Sequence, residues 1–179
     1  RRDPFTSLFD GERLAAGQLV LCPTVLEFLS TGTVAPLPGL RLFDGAAQRP
    51  SGPLVIGQEV ARRLDLLFGE PGERAVCLTG NPGVGKRFQV EHLMARTGQR
   101  CVFLSLDCEQ PQQRAREGVL TARLTGACLC CGDMEGRDGE GKLLPPEEKL
   151  LQFILDLEPA HEKIFFLSQL PIRSRMSRL

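Results

Sequence analysis

Residues 75–88 read AVCLTGNPGVGKRF, which is a continuous apolar run, then a glycine-rich turn, then a lysine. The apolar run 75–79 is typical of a strand that is buried on both faces of a parallel sheet. Apolar or small residues mark one face of the helix that follows: Val90, Leu93, Met94 and Thr97. Gly98 then stands where a helix prefers its C-terminal cap. The stretch predicts a strand, a tight loop and a helix that begins near Lys86.

The loop has the spacing of a phosphate-binding loop (P-loop): Gly80, four residues, Gly85 and Lys86. Glycines allow the backbone N–H groups to form a concave nest for an anion, and the following helix points its positive end at the same place. A Gly-Pro turn that carries a lysine by chance is the alternative, and the flanking strand and helix argue against it. The expected nucleotide-binding residues are Gly80, Asn81, Pro82, Gly83, Val84, Gly85, Lys86, Arg87 and Phe88.

The residue after the lysine of such a loop is normally Ser or Thr, whose hydroxyl ligates Mg²⁺, but this chain has Arg87. Arginine has no acceptor atom and therefore cannot ligate the metal. Two interpretations stay open: Arg87 partly replaces the charge of the metal, or it points into solvent. We expect ATP as the cofactor, with no clear site for Mg²⁺.

An acidic residue at the end of a hydrophobic strand normally completes the site of a P-loop ATPase. The apolar run 164–167 is instead followed by Ser168 and Gln169. The run 102–106 does end in Asp107, which makes Asp107 the alternative metal ligand. These features leave open whether the chain is an enzyme.

The wider pattern predicts an α/β fold, with a P-loop NTPase-like parallel sheet that is flanked by helices. Residues 1–53 are expected to be a loop-rich N-terminal extension because Gly and Pro recur there, and residues 54–179 are expected to be the core. Within the core we expect helices over about 60–68, 110–125 and 147–157, further strands over 101–106 and 163–167, and an irregular segment over 126–141.

Residues 54–106 resemble the start of an AAA+ ATPase core. The resemblance is carried by Gly57-Gln58-Glu59 before the P-loop strand, a step that leads into a helix in that family. It implies that Val55, Ile56 and Gly57 contribute to binding the base of the nucleotide.

The C-terminal stretch is similar to clamp-loader ATPase subunits. The likeness lies in Leu157-Glu158-Pro159-Ala160, in the strand that ends at Gln169, and in Ser174-Arg175. It implies that Gln169 is a sensor residue and Arg175 an arginine finger. The interval between these two residues is shorter than is usual in that family.

Seven cysteines in a chain without a secretory signal pattern favour free thiols in a reducing compartment. The cluster Cys128-Leu129-Cys130-Cys131 falls in the segment expected to be irregular, where some clamp-loader subunits resemble it in carrying a zinc module. Zinc needs four ligands, and Cys108 is the one other nearby sulfur. Free thiols are therefore the main expectation and zinc the alternative.

Lys plus Arg number 22 and so do Asp plus Glu, so net charge does not direct the chain to nucleic acid or anionic lipid. The tail residues Arg173, Arg175 and Arg178 are a local exception, either a solvated end or a contact to nucleic acid phosphates. We expect an intracellular protein of the nucleus or cytoplasm, or of the mitochondrial matrix, with no membrane contact.

Three functional hypotheses follow from the sequence. The first is an ATP-binding AAA+-like subunit of a larger protein assembly, with weak or absent hydrolysis. The second is a non-enzymatic structural subunit of a large ribonucleoprotein, such as a mitochondrial ribosome, that retains a P-loop fold. The third is an active kinase or GTPase-like enzyme whose acidic residue lies outside this chain, although no guanine-reading Asn-Lys-x-Asp motif is present.

Overall fold

The computed structural model describes residues 21–50, 52–54, 58–70, 75–137, 139–140, 142–157 and 163–172. Its helices are α1 (Pro23–Thr31), α2 (Gln58–Gly69), α3 (Lys86–Thr97), α4 (Pro111–Thr125) and α5 (Glu148–Leu157). Its strands are β1 (Leu40–Asp44), β2 (Ala75–Thr79), β3 (Arg100–Ser105), β4 (Cys128–Gly132), β5 (Gly136–Arg137), β6 (Leu143–Leu144) and β7 (Ile164–Ser168).

Five strands form one sheet in the order β1-β3-β4-β7-β2, and β5 and β6 form a separate two-stranded ribbon. The strands β3, β4, β7 and β2 are parallel, whereas β1 is an antiparallel edge strand. The fold is therefore α/β, with a mostly parallel sheet flanked by helices, as the sequence predicts. The carboxyl ends of β2, β4 and β7 meet at one edge of this sheet, where α/β proteins commonly bind ligands.

Two hydrophobic cores lie on opposite faces of the sheet, because alternate residues of each buried strand point to opposite sides. In β7, Ile164 and Phe166 pack with the core that α4 and α5 cover. Phe165 and Leu167 pack with the core that α2 and α3 cover. Phe165 and Phe166 are both fully buried, and burial of each ring contributes about 2–3 kcal/mol of hydrophobic free energy.

Most of the predicted elements are confirmed. Strands β2, β3 and β7 and helices α2 to α5 lie within a residue or two of their expected positions. β2 and β3 are parallel, as expected, but β7 and β4 lie between them. Among the described residues, none of the helices is long and apolar enough to cross a membrane.

The expectation that residues 126–141 are irregular is wrong for the first part of that segment. Cys128–Gly132 form β4, a central strand that pairs with β3 on one side and β7 on the other. Cysteine behaves as a small hydrophobic residue and is often buried, so this run packs as an apolar strand does.

The strand also argues against the alternative of a zinc module. Cys128 and Cys130 face the core under α3, whereas Cys131 faces the opposite core. Three sulfurs divided between two faces of a sheet cannot converge on one tetrahedral metal. Among the described residues, none of the cysteines is joined in a disulfide, as expected.

β1 comes from the stretch that the sequence predicts to be a loop-rich extension. It pairs with β3 over its whole length, and Phe43 is buried against the ring of Phe103 at a centroid distance of 6.4 Å. Gly45 ends the strand where a Cβ atom would lie 2.1 Å from the Met94 carbonyl oxygen of α3. This close approach needs glycine, and it places the end of β1 beside the last turn of α3.

Candidate functional site

The loop between β2 and α3, residues 80–85, is called the glycine loop below. Gly83 and Gly85 have φ angles of 78° and 80°, a left-handed conformation that favours glycine. The N–H of Gly80 donates to the Ser168 carbonyl oxygen at 3.1 Å, which fixes the start of the loop to the end of β7. The loop therefore has the local backbone geometry that the sequence pattern predicts.

The side chain of Lys86 folds back over this loop. Its Nζ donates to the carbonyl oxygens of Gly80 at 2.6 Å and Asn81 at 3.0 Å. The ammonium group therefore stands beside the backbone nest, and α3 starts at the same residue. The positive charge, the loop N–H groups and the helix N-terminus all favour an anion here.

A cavity of about 1000 Å³ opens beside the glycine loop at the carboxyl edge of the sheet. Its wall includes most of the predicted phosphate-binding residues: Pro82, Gly83, Gly85, Lys86, Arg87 and Phe88. The opposite wall comes from β1 and the loop after it, with Arg41, Phe43 and Arg49. This volume suits a nucleotide-sized ligand, since small-molecule sites commonly measure about 300–1,000 Å³.

Arg87 does not point away from the protein. Its Nε lies 3.4 Å from Glu91 Oε1, one turn along α3, and its guanidinium carbon lies 4.7 Å from the ring centroid of Phe103. The side chain is 51% exposed and lines the cavity. An ion pair and a cation–π contact therefore hold Arg87 on the cavity wall, with half of its side chain exposed.

Two carboxylates that the sequence analysis missed also line the cavity, and both follow β4. Asp133 has a φ of 54° and is exposed, while Glu135 is partly buried. Asp107 follows β3 and is not part of the cavity wall. The signal for these carboxylates is the apolar run 127–131 followed by Gly-Asp-Met-Glu, which lies in the segment that the sequence predicts to be irregular.

Glu135 is already engaged within the protein. Its Oε1 accepts a hydrogen bond from Ser168 Oγ at 2.9 Å and another from the backbone N–H of Gln169. These bonds join the end of β4 to the end of β7. Gln169, the residue that the clamp-loader likeness implies as a sensor, does line the cavity.

A smaller pocket of about 230 Å³ lies on the other side of the glycine loop, lined by Pro53, Leu54, Gly83, Val84, Gly85, Phe88 and Gln89. The ring of Phe88 meets that of His92 edge-on at a centroid distance of 4.6 Å, and His92 Nε2 is 2.9 Å from the Gly52 carbonyl oxygen. The pocket is mostly apolar.

Two groups of predicted site residues lie outside the described residues. One is the set expected to bind the base, Val55, Ile56 and Gly57, which follows Leu54 in the sequence. The other is the set of tail arginines, Arg173, Arg175 and Arg178.

Two buried thiols of β3 and β4, Cys101 and Cys131, have little tendency to ionise. Burial raises the pKa of Cys101 well above the usual thiol value, and its contact with Cys130 raises that pKa further. Burial also raises the pKa of Cys131. Cys130 lines the cavity but is only 1% exposed. Cys101 and Cys131 therefore supply packing rather than a reactive thiolate.

Compared with protein-family models and with curated proteins, the chain matches none of them. The functional conclusion therefore rests on the geometry of the glycine loop and its cavity.

Proposed function

We propose that this chain is a nucleotide-binding subunit of a larger assembly, with a P-loop NTPase-like fold of the AAA+ kind and with ATP as its ligand. The observation that carries the proposal is the glycine loop, whose two left-handed glycines, Lys86 and the N-terminus of α3 adjoin one nucleotide-sized cavity. In this interpretation the loop N–H groups and Lys86 hold the phosphates.

The apolar pocket on the outer side of the loop is the proposed place for the base. Its wall includes Leu54 and Phe88, and residues 55–57 follow Leu54 directly in the chain. An aromatic ring and aliphatic side chains contact the face of any base and do not read its edge. We therefore propose that this pocket distinguishes ATP from GTP only weakly.

The groups around the cavity fit binding better than hydrolysis. Hydrolysis requires a carboxylate that is free to orient and activate water. Glu135 accepts two hydrogen bonds at one oxygen and joins two strands, so it is poorly placed for that role. Glu91, a second carboxylate of the cavity wall, is paired with Arg41 and Arg87. Asp133 is the third carboxylate of that wall. We propose slow or absent turnover.

The residues present do not fit a resident Mg²⁺ ion. The position after Lys86 holds a guanidinium group, which has no lone pair to offer a cation and repels one. Among the described residues there is no group of three or more His, Cys, Asp or Glu side chains that could hold a metal ion. We therefore propose that the nucleotide binds without needing Mg²⁺.

The test is to measure ATP and GTP binding to the purified chain, with Mg²⁺ and with a chelator, alongside Lys86→Ala. We expect micromolar or tighter binding that Lys86→Ala weakens at least about tenfold and that the chelator does not weaken. Absence of binding to the wild-type chain would contradict the proposal and leave the loop as a folding element. That result would favour the structural-subunit alternative.

A further inference from the structure

Two arginines from different elements meet at one buried carboxylate in the cavity wall. Arg41 of β1 donates from Nη2 to Glu91 Oε1, and Arg87 Nε lies 3.4 Å from the same oxygen. The Glu91 side chain is only 10% exposed, whereas those of Arg41 and Arg87 are 49% and 51% exposed. The carboxylate therefore lies beneath the two guanidinium groups, which face the cavity.

Both guanidinium groups lie close to the ring of Phe103. The guanidinium carbons of Arg41 and Arg87 lie 5.4 Å and 4.7 Å from its centroid. A guanidinium over an aromatic face keeps its N–H donors at the edge of its plane. Each arginine has five such donors and uses only part of them on Glu91, so further donors stay available to a ligand.

The positive charge of the two arginines is not balanced by Glu91 alone. One carboxylate offsets only one of the two arginines, so the group of Arg41, Arg87 and Glu91 keeps a net charge of about +1. Arg49 lines the same cavity and, among the described residues, has no ion-pair partner. The other acids of the cavity wall, Asp133 and Glu135, follow β4. Arg41 belongs to β1, and β3 lies between these two strands in the sheet.

We propose that Arg41 and Arg87, held by Glu91 against Phe103, form a second phosphate subsite in the cavity. The subsite is separate from the glycine loop, where Lys86 stands over Gly80 and Asn81. Paired guanidinium groups recognise phosphate through parallel N–H···O bonds, which a single lysine cannot supply. The inference rests on the proposed function only in taking the glycine loop as the first phosphate site.

The ligand is a phosphate group, and it has two possible sources. One is the terminal phosphate of the nucleotide that the glycine loop holds, with the arginines supplying the charge that Mg²⁺ would otherwise supply. The other is the phosphate of a second molecule that occupies the rest of the cavity of about 1000 Å³.

The experiment titrates inorganic phosphate into the nucleotide-free chain at low ionic strength and follows binding by ³¹P NMR. The variant Lys86→Ala weakens the glycine-loop site, so the binding that remains reports the arginine subsite. In that background, we expect Arg41→Gln to weaken phosphate binding about tenfold. Arg96→Gln is the matched control, since Arg96 is 40% exposed, pairs with Asp65 and does not line the cavity.

The variant Arg41→Lys covers the case in which Arg41→Gln fails to fold. Lysine keeps an ion pair with Glu91 but lacks the planar fork, so we expect a loss of about three- to tenfold in phosphate affinity with normal thermal unfolding. Equal phosphate affinity in the Arg41 and Arg96 variants would overturn the subsite. The absence of any phosphate binding in the Lys86→Ala background would also overturn the subsite. The proposed function would survive that result if the wild-type chain still binds ATP through Lys86.

Comparison of ADP with ATP identifies the source of the phosphate. If the nucleotide supplies it, Arg41→Gln weakens ATP binding about tenfold and leaves ADP binding unchanged. If a second molecule supplies it, both nucleotides bind as in wild type, and the ADP-saturated wild-type chain takes up inorganic phosphate whereas the ADP-saturated Arg41→Gln chain does not. If neither pattern is found, the subsite is overturned.

Discussion

The ammonium group of Lys86 lies 2.6 Å from the carbonyl oxygen of Gly80, at the opposite end of the loop that it serves. With the bond to Asn81, this contact joins the first turn of α3 to the end of β2. The lysine is therefore placed beside the phosphate position by the loop itself. To contact a phosphate it exchanges carbonyl acceptors for phosphate oxygens, which bind an ammonium more strongly because they are charged.

Replacement of Lys86 by methionine separates binding from folding. We expect the free energy of unfolding to fall by no more than about 1 kcal/mol, because water can replace the ammonium at the Asn81 carbonyl. Phosphate and nucleotide affinity should nevertheless fall at least about tenfold. Urea unfolding and equilibrium binding on the same preparation check this, and a large loss of stability would mean that the lysine is mainly a structural tie.

Gly85→Ala tests the left-handed turn of the glycine loop. With φ at 80°, an alanine here is strained, and we expect a loss of about 1–2 kcal/mol in unfolding free energy together with weaker phosphate binding. Gly69→Ala is the control, because it ends α2 and an added Cβ atom would have no neighbour within 4 Å. Its unfolding free energy should not fall and should rise by up to about 1 kcal/mol. Equal effects of the two substitutions would argue against the strained turn.

Arg87→Ser tests why Mg²⁺ has no role in the proposed site. The substitution removes a positive charge and supplies the hydroxyl that normally ligates Mg²⁺ after the loop lysine. We expect Mg²⁺ to strengthen ATP binding by Arg87→Ser several-fold and to leave wild-type binding unchanged. Isothermal titration with and without Mg²⁺ measures the difference.

The control for this gain is the double variant Arg87→Ser/Asp133→Asn, because Asp133 is the exposed carboxylate of the cavity wall. It should lose the response to Mg²⁺, whereas Arg87→Ser/Asp107→Asn should keep it. A metal response that depends on Asp107 instead would mean that the acid after β3 reaches the ligand.

The buried thiols make stability depend on alkaline pH. The pKa values of Cys101 and Cys131 are raised above the usual 9.0 in the folded chain, so the unfolded chain loses these protons first. Stability is therefore full below about pH 9 and falls as pH rises through the folded pKa values, by about 1 kcal/mol per pH unit for each thiol. Urea unfolding at about pH 8 and about pH 10 checks the sign, and unchanged stability would argue against these buried thiols.

Alkylation gives an independent measure of the same burial. We expect Cys101, Cys128, Cys130 and Cys131 to resist iodoacetamide in the native chain and to react in urea. The partly exposed Cys22 and Cys108 should react under both conditions. Peptide mass spectrometry reads each site, and native modification of the β4 cysteines would contradict their position in the sheet.

Local chemistry explains which elements were predictable. Residues 75–97 carry an uninterrupted apolar run, a glycine turn and a helical repeat, so neighbours in sequence suffice to specify β2, the glycine loop and α3. The same is true of α5, which begins after two prolines and has Leu150, Leu151 and Ile154 on its buried face. In each case the signal is complete within about 10 to 20 residues.

β1 and β4 were not predictable in the same way. Leu40–Asp44 have an exposed middle and are short, and pairing with β3 is what makes them a strand. Cys128–Gly132 were ambiguous because clustered cysteines are typical both of metal sites and of buried strands. Only the positions of β3 and β7 on either side establish that this strand lies at the centre of the sheet.

By itself, the sequence determined the glycine loop, its lysine and the helix behind it, because those features depend on backbone conformation and on residues close together in the chain. Only the tertiary structure decided what surrounds the loop. Glu91 meets Arg41 from 50 residues away, and Asp133 and Glu135 reach the cavity because β4 lies beside β7. Such contacts depend on strand order and on side-chain direction, which local patterns do not specify.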